Sequence, residues 1–312
     1  MLDVRRLRVL REVASRGSFS SAADALHFTQ SAVSQQIAAL EREAGMTLVE
    51  RNARGVRLTE AGEALVRHTD VILARLDDAE AELAALSGVR GGRLRLAAFP
   101  SAGASIVPKA IVRFRERHPS VELTVVPAEP PEGQDKLRTG EVDIAMVIET
   151  PWEECDVDRT LERIHLLDDP MFVCLRRDHP KASKARLRLE DLSDESWLNG
   201  SGGSCPDAAI FLRSCERAGF EPKIAFYSDD YAAIQGFVAA GMGVSFIPDL
   251  ALTSVRDDVV IRSLAPRAPV RRIAAATLAG GYRSAAASAM LDILVEIGRE
   301  FEGDRRELAV AV

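Results

Sequence analysis

The sequence predicts a mostly parallel α/β domain behind a small helical N-terminal domain, with one long helix between them. Three observations predict this. From Arg93 onward, strand-like runs alternate with helix-like runs, as in crossover-connected parallel strands. Residues 65–86 hold an apolar seam at alternating steps of four and three. Residues 1–59 pack three short helical patterns and a hairpin into one small segment.

In that first segment, Val4, Leu7, Leu10 and Val13 recur at three-residue steps, one buried face of a first helix. Ser18 and Ser20 are N-cap candidates for a second helix, whose inner face is Ala22, Ala23 and Leu26. A turn follows at Leu26-His27-Phe28-Thr29, and Thr29 caps a third helix running to about Glu43. Val33, Ile37 and Leu40 face inward from it, and the other face carries Gln30, Ser31, Ser34, Gln35 and Gln36. An ordinary solvated face would carry Lys and Glu, whereas Gln can pair bidentately with adenine and Ser can serve any base. The Ala32 methyl can pack on thymine, and the helix N-terminus favours phosphate. This is a helix-turn-helix that reads duplex DNA in the major groove.

A wing follows. Arg51, Arg54 and Arg57 flank the Asn52-Ala53-Arg54-Gly55 turn, and Val56-Arg57-Leu58 alternates like a return strand. Arginines there can grip phosphate or enter a minor groove. Residues 1–59 hold nine arginines against six acids, about +3, while the whole chain stands at −7. A nucleic-acid coat protein would be basic throughout, so a basic reader on an acidic body is expected.

The seam that follows is Leu65, Thr69, Ile72, Leu76, Ala79, Leu83 and Leu86. Three heptads of that kind suit a two-stranded coiled coil and predict a homodimer through this helix. Ser87 to Gly92 is a flexible break before the next domain. Strands are predicted at 94–96, 121–126, 142–148, 171–175, 223–228, 243–248 and 271–278. Helices are predicted at 101–118, 134–139, 207–218, 230–240 and 284–302.

At 312 residues, two to three domains are expected, and 47% hydrophobic content supports sizeable cores. The Met-Leu-Asp-Val-Arg-Arg start carries no signal-peptide pattern and no apolar run reaches membrane-spanning length, so a cytoplasmic protein is expected. Four cysteines (155, 174, 205, 215) are then expected to be reduced. No C-x-x-C or paired-His spacing suggests a metal, and no cofactor is expected. No G-x-S-x-G, G-x-G-x-x-G, Walker loop or H-E-x-x-H occurs, and Gly241-Met242-Gly243 lacks its third glycine because position 246 is Phe. An enzyme is therefore not expected.

The run SFSSAADALHFTQSAVSQQIAALEREAGMTLVERNARGVRLTEAG resembles the signature of the LysR-type transcriptional regulators, and RERHPSVELTV, GEVDIAMV, AAGMGVSFIP and RAGFEP follow in matching order. Ser31 departs from a frequent proline, Gln35 from a frequent Arg or Lys, and Val49 from a usual aromatic, which affects which bases are read. The resemblance implies a winged helix-turn-helix over 1–59, a linker helix over 60–90, an effector domain over 91–303 and a tail over 304–312. It implies a periplasmic-binding-protein-like clamshell of two Rossmann-like lobes. Lobe I would span about 93–163 plus 267–302, and lobe II about 164–266. It also implies pairing through the effector domains, giving homotetramers.

Ligands of open α/β sheets sit beyond the carboxyl ends of strands, at helix N-termini. That rule selects Phe99, Pro100, Ser101 and Ala102 in lobe I and Gly200, Ser201, Gly202, Gly203 and Ser204 in lobe II. Ser101 falls where family members place a hydroxyl against the effector. Two converging helix N-termini, with no acid in either segment, predict a small anionic organic effector. A thiol switch at Cys205 and Cys215 is the alternative, since peroxide-sensing members carry two cysteines in a comparable region. Ten residues of helix span about 15 Å, whereas a disulfide needs Cα atoms within about 7 Å, so that helix would have to melt.

Overall fold

The computed structural model describes residues 1–52, 55–86, 92–150, 158–200, 206–281 and 283–310. The chain divides into two units, Met1–Val89 with Arg138–Glu141, and Arg90–Leu137 with Val142–Val312.

The first unit holds α1 (Val4–Arg16), α2 (Phe19–Leu26), α3 (Gln30–Ala44), the hairpin β1 (Val49–Asn52) and β2 (Gly55–Leu58), and α4 (Glu60–Leu86). Each of the first three helices is capped by its own side chains. Asp3 accepts from the amides of Arg5 and Arg6, Ser18 from Ser21, and Thr29 from Ala32. Ser20 lies inside α2 and caps nothing. Leu7, Leu10, Val13, Ala22, Ala23, Val33, Ile37 and Leu40 form one core with Leu48 and Val49 of the wing. Glu41 Oε1 accepts from the Leu48 amide at 2.8 Å and so ties α3 to the wing. Gly62 lets α4 start against the wing backbone, because a Cβ there would lie 2.1 Å from the Leu48 carbonyl oxygen.

The heptad seam of α4 divides. Thr69 is fully buried within the chain, its hydroxyl donating to the Leu65 carbonyl at 2.7 Å, and Leu65 packs against the first unit's core. Thr69 is therefore removed from the dimer seam, because a side chain already covered cannot face a second copy. Ile72, Leu76, Ala79 and Leu83 remain exposed at steps of four, three and four. The Leu86 side chain lies outside the described residues.

The second unit is one ten-stranded sheet in two lobes. Lobe I carries β3 (Gly92–Ala98), β4 (Val121–Pro127) and β5 (Ile144–Glu149) as parallel neighbours, with β12 (Val270–Leu278) antiparallel to β5. Ile144, Met146 and Ile148 enter the core on one face of β5, and Ala145 and Val147 enter the core on the other. Both faces are covered, so this strand reads as a continuous apolar run without alternation. Lobe II carries β8 (Ser196–Asn199), β9 (Lys223–Tyr227) and β10 (Val244–Pro248) as parallel neighbours, with β11 (Val259–Ala265) beside β7 (Arg186–Arg188).

One strand joins the lobes. β6 (Leu161–Arg176) pairs with β12 as far as Pro170 and with β10 from Met171. Residues 164–170 therefore belong to the lobe I sheet, and the crossing falls at Pro170–Met171 rather than at 163–164. The antiparallel pairings of β6 and β12 make the sheet mixed rather than mostly parallel. The helices are α5 (Pro100–Ala104), α6 (Ile106–Arg117), α7 (Pro130–Arg138) and α10 (Ala285–Val310) from lobe I, and α8 (Pro206–Arg217) and α9 (Tyr231–Ala239) from lobe II.

Two helices differ from the sequence expectation. The single helix at 101–118 is two, broken at Ser105 (φ −121°, ψ −79°). Pro108 has no amide hydrogen, and its ring would clash with the Ala104 carbonyl in a continuous helix. The last helix continues past 302 to Val310. Among the described residues no helix is long and apolar enough to cross a membrane.

Candidate DNA-reading face and effector cleft

In the first unit, α3 presents the uncharged face that the sequence indicated. Thr29, Gln30, Ser31 and Gln35 are exposed, and Ala32, Ser34 and Gln36 are half-buried. Thr29 Oγ1 and Ser31 Oγ lie 3.0 Å apart, so cap and first turn form one polar cluster. Gln36 is turned toward α1, its Oε1 accepting from Arg6 Nε at 3.3 Å. Arg6 also forms an ion pair with Glu43. Arg57 is exposed on β2, opposite Glu50 across the hairpin. Arg51 stands on β1 opposite Val56, its side chain outside the described residues, as is all of Arg54.

In the second unit, the polar centre is Arg271, which sequence reasoning missed. It stands at the start of β12, directly across from Asp169 of β6. It is 1% exposed and makes three side-chain hydrogen bonds. Nε donates to Asp169 Oδ2 at 2.7 Å, Nη1 to Asp207 Oδ2 at 2.7 Å, and Nη2 to Ser101 Oγ at 2.6 Å. The guanidinium carbon lies 5.4 Å from the centroid of the Phe99 ring. Burial opposes the charge on Arg271, but Asp207 and Asp169 outweigh it, so the guanidinium is held firmly protonated. Asp169 also accepts from the Leu250 amide at 3.2 Å. One side chain thus ties the β12 end of the lobe I sheet, the first turn of α5 and the first turn of α8 in lobe II.

The signal for this centre is visible in retrospect. Asp168-Asp169-Pro170 and Val270-Arg271-Arg272 are acid and base pairs at the two chain crossings, and antiparallel register sets them face to face. Nothing short of that register shows that Arg271 points inward while Arg272 stays exposed beside Asp168.

A cavity of about 520 Å³ opens beside this centre, within the range of small-molecule sites. Pro100 and Ser101 form part of its wall. Phe99 and Ala102 do not. They are 2% and 0% exposed, in the lobe I core. Ser101 is itself only 3% exposed, so the segment meets the opening chiefly through exposed Pro100, with Ala104 one turn further on. Gly200 lies next to Asp229, where an added Cβ would stand 3.4 Å from Oδ1. Ser201, Gly202, Gly203 and Ser204 lie outside the described residues.

The opposite wall comes from a segment that sequence reasoning left out, Asp229-Asp230-Tyr231 at the start of α9. The Tyr231 hydroxyl donates to Asp207 Oδ2 at 2.7 Å. Asp230 caps α9, accepting from Ala232 at 2.8 Å and Ala233 at 3.2 Å, so that N-terminus is already engaged by a carboxylate. Gln235 is buried and spans Ser254 and Arg256, holding that loop in place. Nearby, burial followed by the charges of Asp229 and Asp207 pushes the Glu129 carboxyl up to about 7, against the pull of Arg271. The anionic-effector expectation rested on two segments without acids, and Asp229 and Asp230 stand in the cavity wall outside both of them. α5, at five residues, also offers no extended helix dipole.

The second cysteine of the thiol-switch alternative, Cys215, is 0% exposed in the lobe II core with Trp197 and Phe211. Burial pushes its thiol up to about 12. Cys205 lies outside the described residues.

Comparison with known proteins finds relatives for both parts of the chain. Residues 4–63 match the model for the bacterial regulatory helix-turn-helix protein, lysR family, and residues 87–299 match the LysR substrate binding domain. The HTH-type transcriptional regulator AlsR of Bacillus subtilis is 31% identical over 266 residues, covering 84% of this chain and 86% of that protein. A hydrogen peroxide-inducible genes activator of Dickeya chrysanthemi is 30% identical over 277 residues, covering 88% of each. The structure of a full-length OxyR variant from Pseudomonas aeruginosa superposes with a TM-score of 0.72 at 26% identity, over 94% of this chain and 95% of that one. This chain therefore belongs to the LysR family, as a DNA-binding transcriptional regulator with an effector-binding domain.

Proposed function

We propose that this regulator reads operator DNA through Gln30, Ser31, Ser34 and Gln35 of α3, and is switched by a small organic effector that enters the cavity between Ser101 and Tyr231. The observation that carries this reading is the cavity itself, walled by both lobes beside the Arg271 centre. A ligand that touches both lobes binds best in one lobe orientation, and so shifts the population toward it. In a protein that works as a dimer through Ile72, Leu76, Ala79 and Leu83, and as a tetramer through its effector domains, that shift changes the spacing of the DNA readers. Its place of action is the cytoplasm.

The test begins with selection of bound DNA from a random pool. DNase footprints then follow on the selected site, with compounds that raise the melting temperature of the whole protein. The reading expects the footprint to change with such a compound in the wild type and not in Ser101→Trp, which fills the cavity. A footprint that responds equally in both proteins overturns it.

A thiol switch at Cys205 and Cys215 is the second reading, supported by the likeness to a hydrogen peroxide-inducible activator. The buried, raised Cys215 thiol weighs against it, because the thiolate is the reactive form. Mass spectrometry after peroxide treatment decides the matter. A Cys205–Cys215 disulfide formed with a changed footprint would favour the switch over the organic effector.

A further inference from the structure

We propose that Arg6 is a positioning residue for Gln36: it holds the amide oxygen against α1, so that Gln36 donates its NH2 to a DNA phosphate and reads no base. This deepens the DNA-reading function proposed above and rests on it.

The orientation of the amide comes first. Arg6 Nε donates to Gln36 Oε1 at 3.3 Å. A guanidinium has donors only, so whichever way the amide is drawn its oxygen must face Arg6. Arg6 is itself held on α3. It pairs with Glu43, and Glu43 Oε2 also accepts from the Asp3 amide at 3.3 Å. The oxygen of Gln36 is therefore engaged on the side of α1, and the group left over is a pair of N–H donors. That nitrogen has no hydrogen bond among the described residues. Bidentate pairing with adenine needs the amide oxygen beside its donor at the base edge, and here the oxygen is turned away.

The place of Gln36 on α3 decides between base and phosphate. Ser31 and Gln35 are exposed at the centre of the outward face. Ala32, Gln36 and Glu43 form a separate stripe, spaced by four and seven residues, and both Ala32 and Gln36 are half-buried. Its contacts show that this stripe borders α1. In a helix-turn-helix the first helix crosses the phosphate backbone while the recognition helix enters the groove. A side chain drawn back to the border between them meets backbone before it meets base edges. Arg5, next to Arg6 in α1, is exposed and adds positive charge at that end of the helix.

The test uses the full chain, an operator selected from a random DNA pool and a library of its single-base variants. Fluorescence anisotropy measures affinity at several salt concentrations, after each protein is checked for native circular dichroism. Gln36→Ala should weaken every site alike, by about threefold to tenfold, with base preferences unchanged. Its salt slope should match the wild type, because a neutral donor displaces no counterion. Gln36→Glu keeps an acceptor for Arg6 but loses the donor and adds a negative charge, so it should weaken all sites further. Arg6→Met with Glu43→Gln removes the clamp without changing net charge, and should weaken binding about as much as Gln36→Ala. Adding Gln36→Ala to that pair should change nothing more.

A shift of base preference in Gln36→Ala overturns the phosphate assignment, and unchanged affinity overturns the contact. Additive losses in the triple variant overturn the role of Arg6. Gln36→Ala and Gln36→Glu leave Arg6 in place, and decide the contact even where the pair variant does not fold. Gln35→Ala serves as the separate check: if it too alters neither affinity nor preference, the fault lies with α3 as the reading helix.

Discussion

Arg271 and Asp207 meet at 2.7 Å through Nη1 and Oδ2, joining the strand that leads back into lobe I to the first turn of the lobe II helix α8. Both are buried, so the pair is energetically asymmetric. Forming it desolvates two charges, but breaking it leaves one charge stranded.

Arg271→Met is expected to destabilise the effector domain strongly, by about 3–5 kcal/mol, because Asp169 and Asp207 would remain buried without their cation. Asp207→Asn keeps one acceptor and should cost less. Urea unfolding of the two single variants and the double variant measures the coupling. Additive effects would show that the pair contributes no energy of its own.

Gln35→Ala is expected to relax base preference at one or two operator positions by about 1–3 kcal/mol, since Gln35 is exposed and uncharged on α3. Arg57→Ala, on the wing, should weaken all sequences alike and reduce the salt dependence by about one counterion. Binding to a library of operator variants at several salt concentrations separates them. Identical profiles for the two variants would remove the division between base reading and backbone contact.

Ile72→Glu and Leu76→Glu should break the dimer, because each places a carboxylate in the exposed apolar seam of α4 that a second copy would cover. Light scattering reads the mass directly. A variant that keeps the wild-type assembly at low protein concentration would show that copies pair elsewhere.

Glu129 predicts a pH dependence of stability. Its carboxyl is raised from about 4.5 to about 7, chiefly by burial and then by Asp229 and Asp207, so the folded chain favours the protonated form. That contribution is complete below about 4.5 and is lost as pH rises through about 7. Between pH 5 and pH 8 the wild type should therefore lose more melting temperature than Glu129→Gln. The difference will be small, because Glu129 is only half-buried. Parallel curves would show that Glu129 titrates as an ordinary surface acid.

Much of the DNA-reading unit was legible in the order of residues alone. Its helices are short, its caps act within three residues, and its inward faces follow the helical period, as at Thr29, Val33, Ile37 and Leu40. These are local interactions, and local interactions are written in local sequence. The seam of α4 was legible as a period but not as a surface. Thr69 shares the period of Ile72 and Leu76, and only folding shows that it is already covered.

In the effector domain, alternation of strands and helices indicated an α/β sheet, the family resemblance implied its two lobes, and the rule for ligands at strand ends singled out Ser101, which lines an opening. The centre of the cleft was decided by tertiary structure. Arg271 reaches Asp207, Asp169 and Ser101 across 64, 102 and 170 residues of chain. No periodicity or cap carries information over such separations. Asp229 likewise reaches the cavity wall only through the fold, brought there by the turn before α9. Which charges a ligand meets depends on the register of β6 against β12 and on the crossing at Pro170, and those follow from the packing of the two lobe cores.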